Sequence, residues 1–402
     1  MTTGNLSKAR LARMHDTMAG HVARGTAPGV VTLVSRRGET HVDAIGLTEV
    51  DGRTPMARDT IFRISSMTKP VTAVAAMILV EECQLRLDDP VDTLLPELAD
   101  RQVMKRFDGS VTDTEPANRP ISVRDLLTFQ LGFGVFFAPP GSYPIQDAIA
   151  EAGIGNGPPR PAELPGPNEW IRRFGTLPLM HQPGERWMYN TGSDVLGVLI
   201  ERASGQSLET FCRRRIFEPL GMRDTAFSVP AGKLGRFATS YEPDPDTGAL
   251  RVYDPAAGGQ WASPPAFHSG SGGLVSTVDD FAAFGQMMLA GGRYGDERIL
   301  SRTTVQAMVT DHLTPRVKEE SGFYPGYFDS RSWGLGLAVV TRRDSTSAVP
   351  GQFGWDGGLG TSWYSDPRED LTAILMTQRS GFPQLSEIYL DFWTSVYQAL
   401  DD

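Results

Sequence analysis

The period of the hydrophobic pattern changes once within the first fifty residues. Residues 1–23 mix Lys8, Arg10, Arg13 and Asp16 with scattered apolar positions, the pattern of an amphipathic first helix rather than the unbroken apolar core of a signal peptide. Residues 28–35 (P-G-V-V-T-L-V-S) form a β-branched run closed by Arg36, Arg37 and Gly38, and residues 41–45 read as a returning hairpin partner. Strand-like patterns return near the other end, at residues 333–341, 360–365 and 371–377, followed by a helical stretch over 385–400. The two ends of the chain are expected to share one sheet.

The middle is mainly helical in pattern: residues 68–83, 123–128, 194–203, 208–217 and 278–289, many entered through Ser, Thr or Asp caps. Residues 132–168, rich in Gly and Pro and carrying Phe136, Phe137 and Tyr143, read as a long ordered loop that shapes a pocket. With Trp261, Phe267 and Phe323 they are candidates for an apolar acyl pocket, set against ordinary packing. The most apolar run, residues 71–80, ends at Glu81 and Glu82, well short of the roughly 20 residues that cross a bilayer. No membrane span is expected, and the missing signal sequence points to the cytoplasm.

Composition narrows the function. A chain of 402 residues, 40% hydrophobic and 21% charged, can bury a sizeable core. Its net charge of −10 argues against nucleic acid, whose binding rests on clustered Lys and Arg. Cys83 and Cys212 lie far apart in helical patterns, as reduced core thiols would. The six histidines show no metal-ligand spacing, so neither a metal nor another cofactor is expected, and His181 and His268 read as scaffold. No heptad pattern marks a coiled-coil partner; the expected partner is a small molecule.

The candidate chemistry lies at residues 62–70, F-R-I-S-S-M-T-K-P, where a strand-like approach meets a helix start. Residues three apart on a helix are neighbours, so Lys69 can reach the Ser66 hydroxyl, and the helix dipole favours a developing alkoxide there. Burial beside the apolar run that follows would strip Lys69 of its charge and make it a general base. The alternative is an N-cap serine followed by a surface lysine. Of five lysines only Lys69 has a serine three residues before it, and no serine lies in G-x-S-x-G, so the nucleophile elbow of α/β-hydrolases is absent.

These segments, in order, resemble the serine β-lactamase-like superfamily, and specifically the class C-related esterases called family VIII. Residues 62–70 look like that family's S-x-x-K segment, 87–91 (L-D-D-P-V) like its post-helix turn and 121–127 like I-x-V-R-x-L-L. Residues 187–197 (W-M-Y-N-T-G-S-D-V-L-G) resemble its second motif and 353–361 (F-G-W-D-G-G-L-G-T) its third, W-x-G in place of K-T-G; residues 269–277 are also family-like, a candidate loop beside the site for which no catalytic role is expected. The resemblance implies an α/β (α+β type) fold, an antiparallel sheet flanked by helices, with a mainly helical second domain. It further implies an α/β domain from residues 1–62 plus 225–402, a helical domain at 63–224, and an active site at their interface.

By the same resemblance Ser66 is acylated, Lys69 and Tyr189 move protons, and the N–H groups of Ser66 and Gly358 form the oxyanion hole. Tyr189 would relay a proton if its pKa is lowered or its hydrogen oriented. Gly357 and Gly358 would let substrate approach closely, with Trp355 lining the site; a glycine-rich turn before an edge strand is the alternative. An indole offers one N–H and no charge, which favours uncharged esters over β-lactam carboxylates. Two departures stand out: Thr191 replaces Asn in Tyr189-Asn190-Thr191, and Phe129-Gln130-Leu131-Gly132 replaces H-T-S-G. The expected function is ester cleavage through an acyl-enzyme; the alternatives are a β-lactam or D-alanyl peptide hydrolase, or an acyltransferase using the same residues.

Overall fold

A computed structural model describes residues 5–155, 157–381 and 386–401. Seven strands form one antiparallel sheet: β1 (Gly29–Arg36), β2 (Glu39–Gly46), β3 (Arg331–Trp333), β4 (Ala338–Val340), β5 (Phe353–Gly357), β6 (Thr361–Asp366) and β7 (Leu371–Thr377). Their order across the sheet is β3-β4-β5-β6-β7-β1-β2. The two ends of the chain meet where β1 pairs with β7, Val30 opposite Thr377 and Arg36 opposite Leu371. β5 lies inside the sheet, between β4 and β6, not in a turn before an edge strand.

Every residue of β1 and β7 is buried, because helices cover both faces. Side chains alternate across a strand. Val30, Val34, Leu371, Ala373 and Leu375 therefore pack with helices α1 (Lys8–Ala23) and, from the C-terminal end, Glu387–Gln398. Val31, Leu33, Ile374 and Met376 face the opposite way, toward a larger core that includes Phe281 and Phe284 of the helix Val278–Leu289. A sheet covered on both faces explains why its strands read as apolar runs rather than clean alternation.

In the helical part, α2 (Thr68–Glu81) packs against α3 (Thr191–Ser204). Residues 68–79 of α2 and 191–200 of α3 are all buried, as expected of helices enclosed on every side. The apolar run at 71–80 is thus core; among the described residues no helix is long and apolar enough to cross a membrane.

Several expected elements differ. The first helix starts at Lys8, and residues 1–4 of its expected span lie outside the described residues, as does Leu385 of the last. The segment 333–341 is two strands, β3 and β4, because the chain turns between them through Gly336 at φ 85°. The expected loop at 132–168 contains the helix Pro144–Ala152, whose Pro sits at the first helical position, and Pro167 opens a second helix to Thr176. Past Cys212 the backbone takes a wider π-type turn over Arg213–Phe217. Cys212 is buried, but Cys83 is exposed just beyond α2, at φ 59°.

Candidate active site

Ser66 lies in a single 3-10 turn, Ser65–Met67, that runs directly into α2. Ser65 just before it is held at φ 45°, a left-handed conformation costly for a residue with a Cβ. One helical turn on, Lys69 is fully buried and its Nζ donates to Ser66 Oγ at 2.9 Å and to the Ser271 carbonyl at 2.7 Å. Burial pushes the Lys69 pKa down to about 7, against the opposing attraction of Asp194. The amine is thus poised to lose its proton near neutrality.

Tyr189 arrives from the segment leading into α3. Asn190 between them adopts φ 87° and ψ −66°, the strained γ-turn region. The Tyr189 hydroxyl is hydrogen-bonded to Ser66, and it accepts the Trp355 Nε1–H at 2.7 Å. Lys69 Nζ stands 4.5 Å from the centre of its ring. The structure thus brings Ser66, Lys69 and Tyr189 together. The Tyr189 pKa is not lowered: burial raises it above the ordinary phenol range, so the hydrogen is oriented and retained.

Trp355 stands on β5, buried edge-on against Trp333 (centroids 4.7 Å, interplanar angle 89°) and stacked on Phe323 (5.9 Å, 19°). Its single N–H is already engaged by Tyr189, so the indole orients the phenol, and at 2% exposure it presents a ligand almost no surface of its own. Phe129, the first letter of the altered H-T-S-G stretch, packs on Trp333, Trp187 and Tyr189 and is held at φ 56°.

The two glycines after Trp355 are in different situations. A Cβ on Gly357 would stand 2.3 Å from the Ile64 carbonyl and 2.2 Å from Thr361 Oγ1, so this glycine lets β5 press against the turn that carries Ser66. A Cβ on Gly358 would meet nothing within 4 Å. The space that Gly357 leaves is filled by protein; the space beside Gly358 is open.

Of the expected pocket aromatics, Phe323 packs on Tyr189 at 4.8 Å and Phe137 in turn lies against Phe323 (centroids 6.2 Å), whereas Phe136 and Tyr143 pack on Phe107. Trp261 is core, its Nε1 bonded to the Gly273 carbonyl at 2.8 Å, and Phe267 is core, stacked on Trp170. His181 stacks on Phe107, and His268 packs against Phe227. Among the described residues no three His, Cys, Asp or Glu side chains are grouped to hold a metal ion.

Asp194, read from sequence only as part of the second motif, and Ser271, in the family-like loop 269–277, carried no expected role, yet the structure joins them beside Lys69. Asp194 Oδ1 accepts from Ser269 Oγ (2.7 Å) and Ser271 N (3.1 Å), and Oδ2 from Ser271 Oγ (2.8 Å). A signal was available: Asp194 is the one ionisable residue at the head of the apolar stretch 195–200.

An antiparallel sheet covered by helices on both faces, with a serine, a lysine and a tyrosine converging at the N-terminal end of a buried helix, is the β-lactamase/transpeptidase-like fold. The chain belongs to the Beta-lactamase family, whose profile matches residues 14–392. It is 38% identical to Protein Rv1367c of Mycobacterium tuberculosis, over 90% of this chain and 88% of that protein. It is 31% identical to Esterase EstB of Burkholderia gladioli, over 94% of this chain and 92% of that protein. Among solved structures, EstCE1, described as a hydrolase with promiscuous acyltransferase activity, superposes with a TM-score of 0.78 at 24% identity, over 97% of this chain and 99% of that one. The protein is an enzyme of the serine β-lactamase-like family.

Proposed function

We propose that the protein is a carboxylesterase that forms an acyl-enzyme on Ser66. The observation that carries this reading is the fully buried Lys69 amine, 2.9 Å from Ser66 Oγ. The neutral amine takes the Ser66 proton as Oγ attacks the ester carbonyl carbon, and the oxyanion is received by the N–H groups of Ser66 and Gly358. The Tyr189 phenol gives its proton to the departing alkoxide as the C–O bond breaks, and the Lys69 ammonium, close to the same ring, restores it. Water then attacks the acyl carbon by the same groups in reverse, releasing the acid and freeing Ser66.

Uncharged esters suit the site. Trp355 stands where the β-lactamases carry a lysine, its N–H is engaged by Tyr189, and Phe323 extends an apolar wall beside it. Neither Trp355 nor Phe323 carries a charge that could pair with a ligand carboxylate. The 31% identity to a protein named as an esterase supports the same reading.

A panel of p-nitrophenyl esters of graded acyl length, set against nitrocefin, tests it. Turnover of the esters is expected, with the Ser66→Ala and Lys69→Ala variants each losing at least about 10³-fold in kcat. Fast nitrocefin turnover with no ester cleaved would overturn the assignment. An alcohol acceptor added to the same assay separates hydrolysis from acyl transfer, since transfer yields a new ester in place of free acid.

A further inference from the structure

Asp194 is a buried carboxylate with no part in the steps above, yet all three groups bonded to it belong to one short loop. Ser269 Oγ, Ser271 Oγ and Ser271 N–H each donate to it, and Ser269 Oγ also receives the Gly272 N–H at 3.2 Å. The same Ser271 presents its carbonyl to Lys69 Nζ at 2.7 Å. A neutral amine has two N–H bonds and one lone pair; with one N–H tied to a fixed acceptor, the lone pair can be held toward a second partner.

We propose that Asp194 is a positioning residue: it clamps the Ser271 carbonyl, which ties down one N–H of Lys69 and leaves the amine's lone pair facing the Ser66 hydroxyl. The inference rests on the reading of Lys69 as the base. The clamp is preorganised, because the loop is fixed by a charged acceptor inside a dry interior, where such bonds are strong.

The groups facing Lys69 give this a second consequence. Asp194 is the carboxylate that acts on the amine; Tyr189 shows it a neutral ring face. Arg63, on the strand before Ser66, is bound by Asp254 at 2.7 Å, and Asp356, after Trp355, by Ser362 and Tyr364. The Asp194 charge therefore helps Lys69 keep its proton against burial, and its removal favours the neutral amine at lower pH.

The test is the pH profile of Asp194→Asn on a p-nitrophenyl ester, with a melting curve. Asn is nearly isosteric but uncharged, and its amide cannot reproduce all three acceptances. Expected are a kcat loss of roughly tenfold or more with KM within about twofold, from the misaimed amine. The acid limb of kcat/KM should move to lower pH by about one unit. If that variant fails to fold, the Ser269→Ala/Ser271→Ala double variant, which leaves the carboxylate one backbone donor, should lower kcat in the same direction at unchanged KM. A folded variant with unchanged kcat and acid limb, or with raised KM alone, overturns the proposal. Ser66→Ala separates the two readings: its full activity would refute the esterase mechanism, whereas an inactive Ser66→Ala beside a normal Asp194→Asn would refute only the clamp.

Discussion

A lysine in water keeps its proton to about pH 10.4. Lys69, fully buried beside Ser66, gives it up near 7, because burial penalises the ammonium more than Asp194 rewards it. The base form exists above that pH, so kcat/KM should rise about tenfold per pH unit below 7 and level off above it. Tyr189, raised above the ordinary phenol range, should add no falling limb before pH 9. A profile flat from pH 5 to 9, or one that falls through 7, would contradict these roles. Ser66, Lys69 and Tyr189 were legible because their spacing and neighbours match a known motif order. Asp194 was missed because its partners lie some 75 positions downstream, in a loop whose seryl groups carry no catalytic pattern. The Trp355–Tyr189 bond was hidden for the same reason: a side chain's free N–H cannot be judged until its neighbour is in place.

At the level of elements, the site is held by strained and crowded backbone that propensity does not announce. Ser65 and Asn190, each adjoining a site residue, both take positive φ, and neither residue type demands it. β5 reaches the Ser66 turn only because Gly357 has no side chain. Gly357→Ala should therefore cost about 1–3 kcal/mol of stability, since the Ile64 carbonyl cannot rotate away, and should slow turnover as the turn is pushed off line. Gly358→Ala, facing open space, should stay within about 0.5 kcal/mol of the parent. Denaturant melts of the two variants decide this, and equal losses would refute the packing argument. The elements misjudged from sequence were those where a short break falls inside one pattern. β3 and β4 are parted by Gly336, and the helix Pro144–Ala152 sits among residues whose Gly and Pro content reads as loop.

On the scale of the molecule, the sheet closes by joining β1 to β7, more than 330 residues apart, and helices cover both of its faces. That the two ends share a sheet followed from two clusters of β-branched runs at the chain ends; that helices flank it came only with the family resemblance. Strand order and the burial of α2 and α3 on every side followed from neither, because no local pattern reports which elements become neighbours. The enclosure of α2 matters for chemistry: it dries the lysine that an open helix would leave charged. The central claim, that this dried lysine activates Ser66, is tested most directly by reacting the folded protein with a serine-directed phosphonate and mapping the added mass by peptide. The expected result is one adduct, on the peptide carrying Ser66, lost in Lys69→Ala; an adduct on any other serine, or undiminished labelling of Ser66 without Lys69, would contradict it.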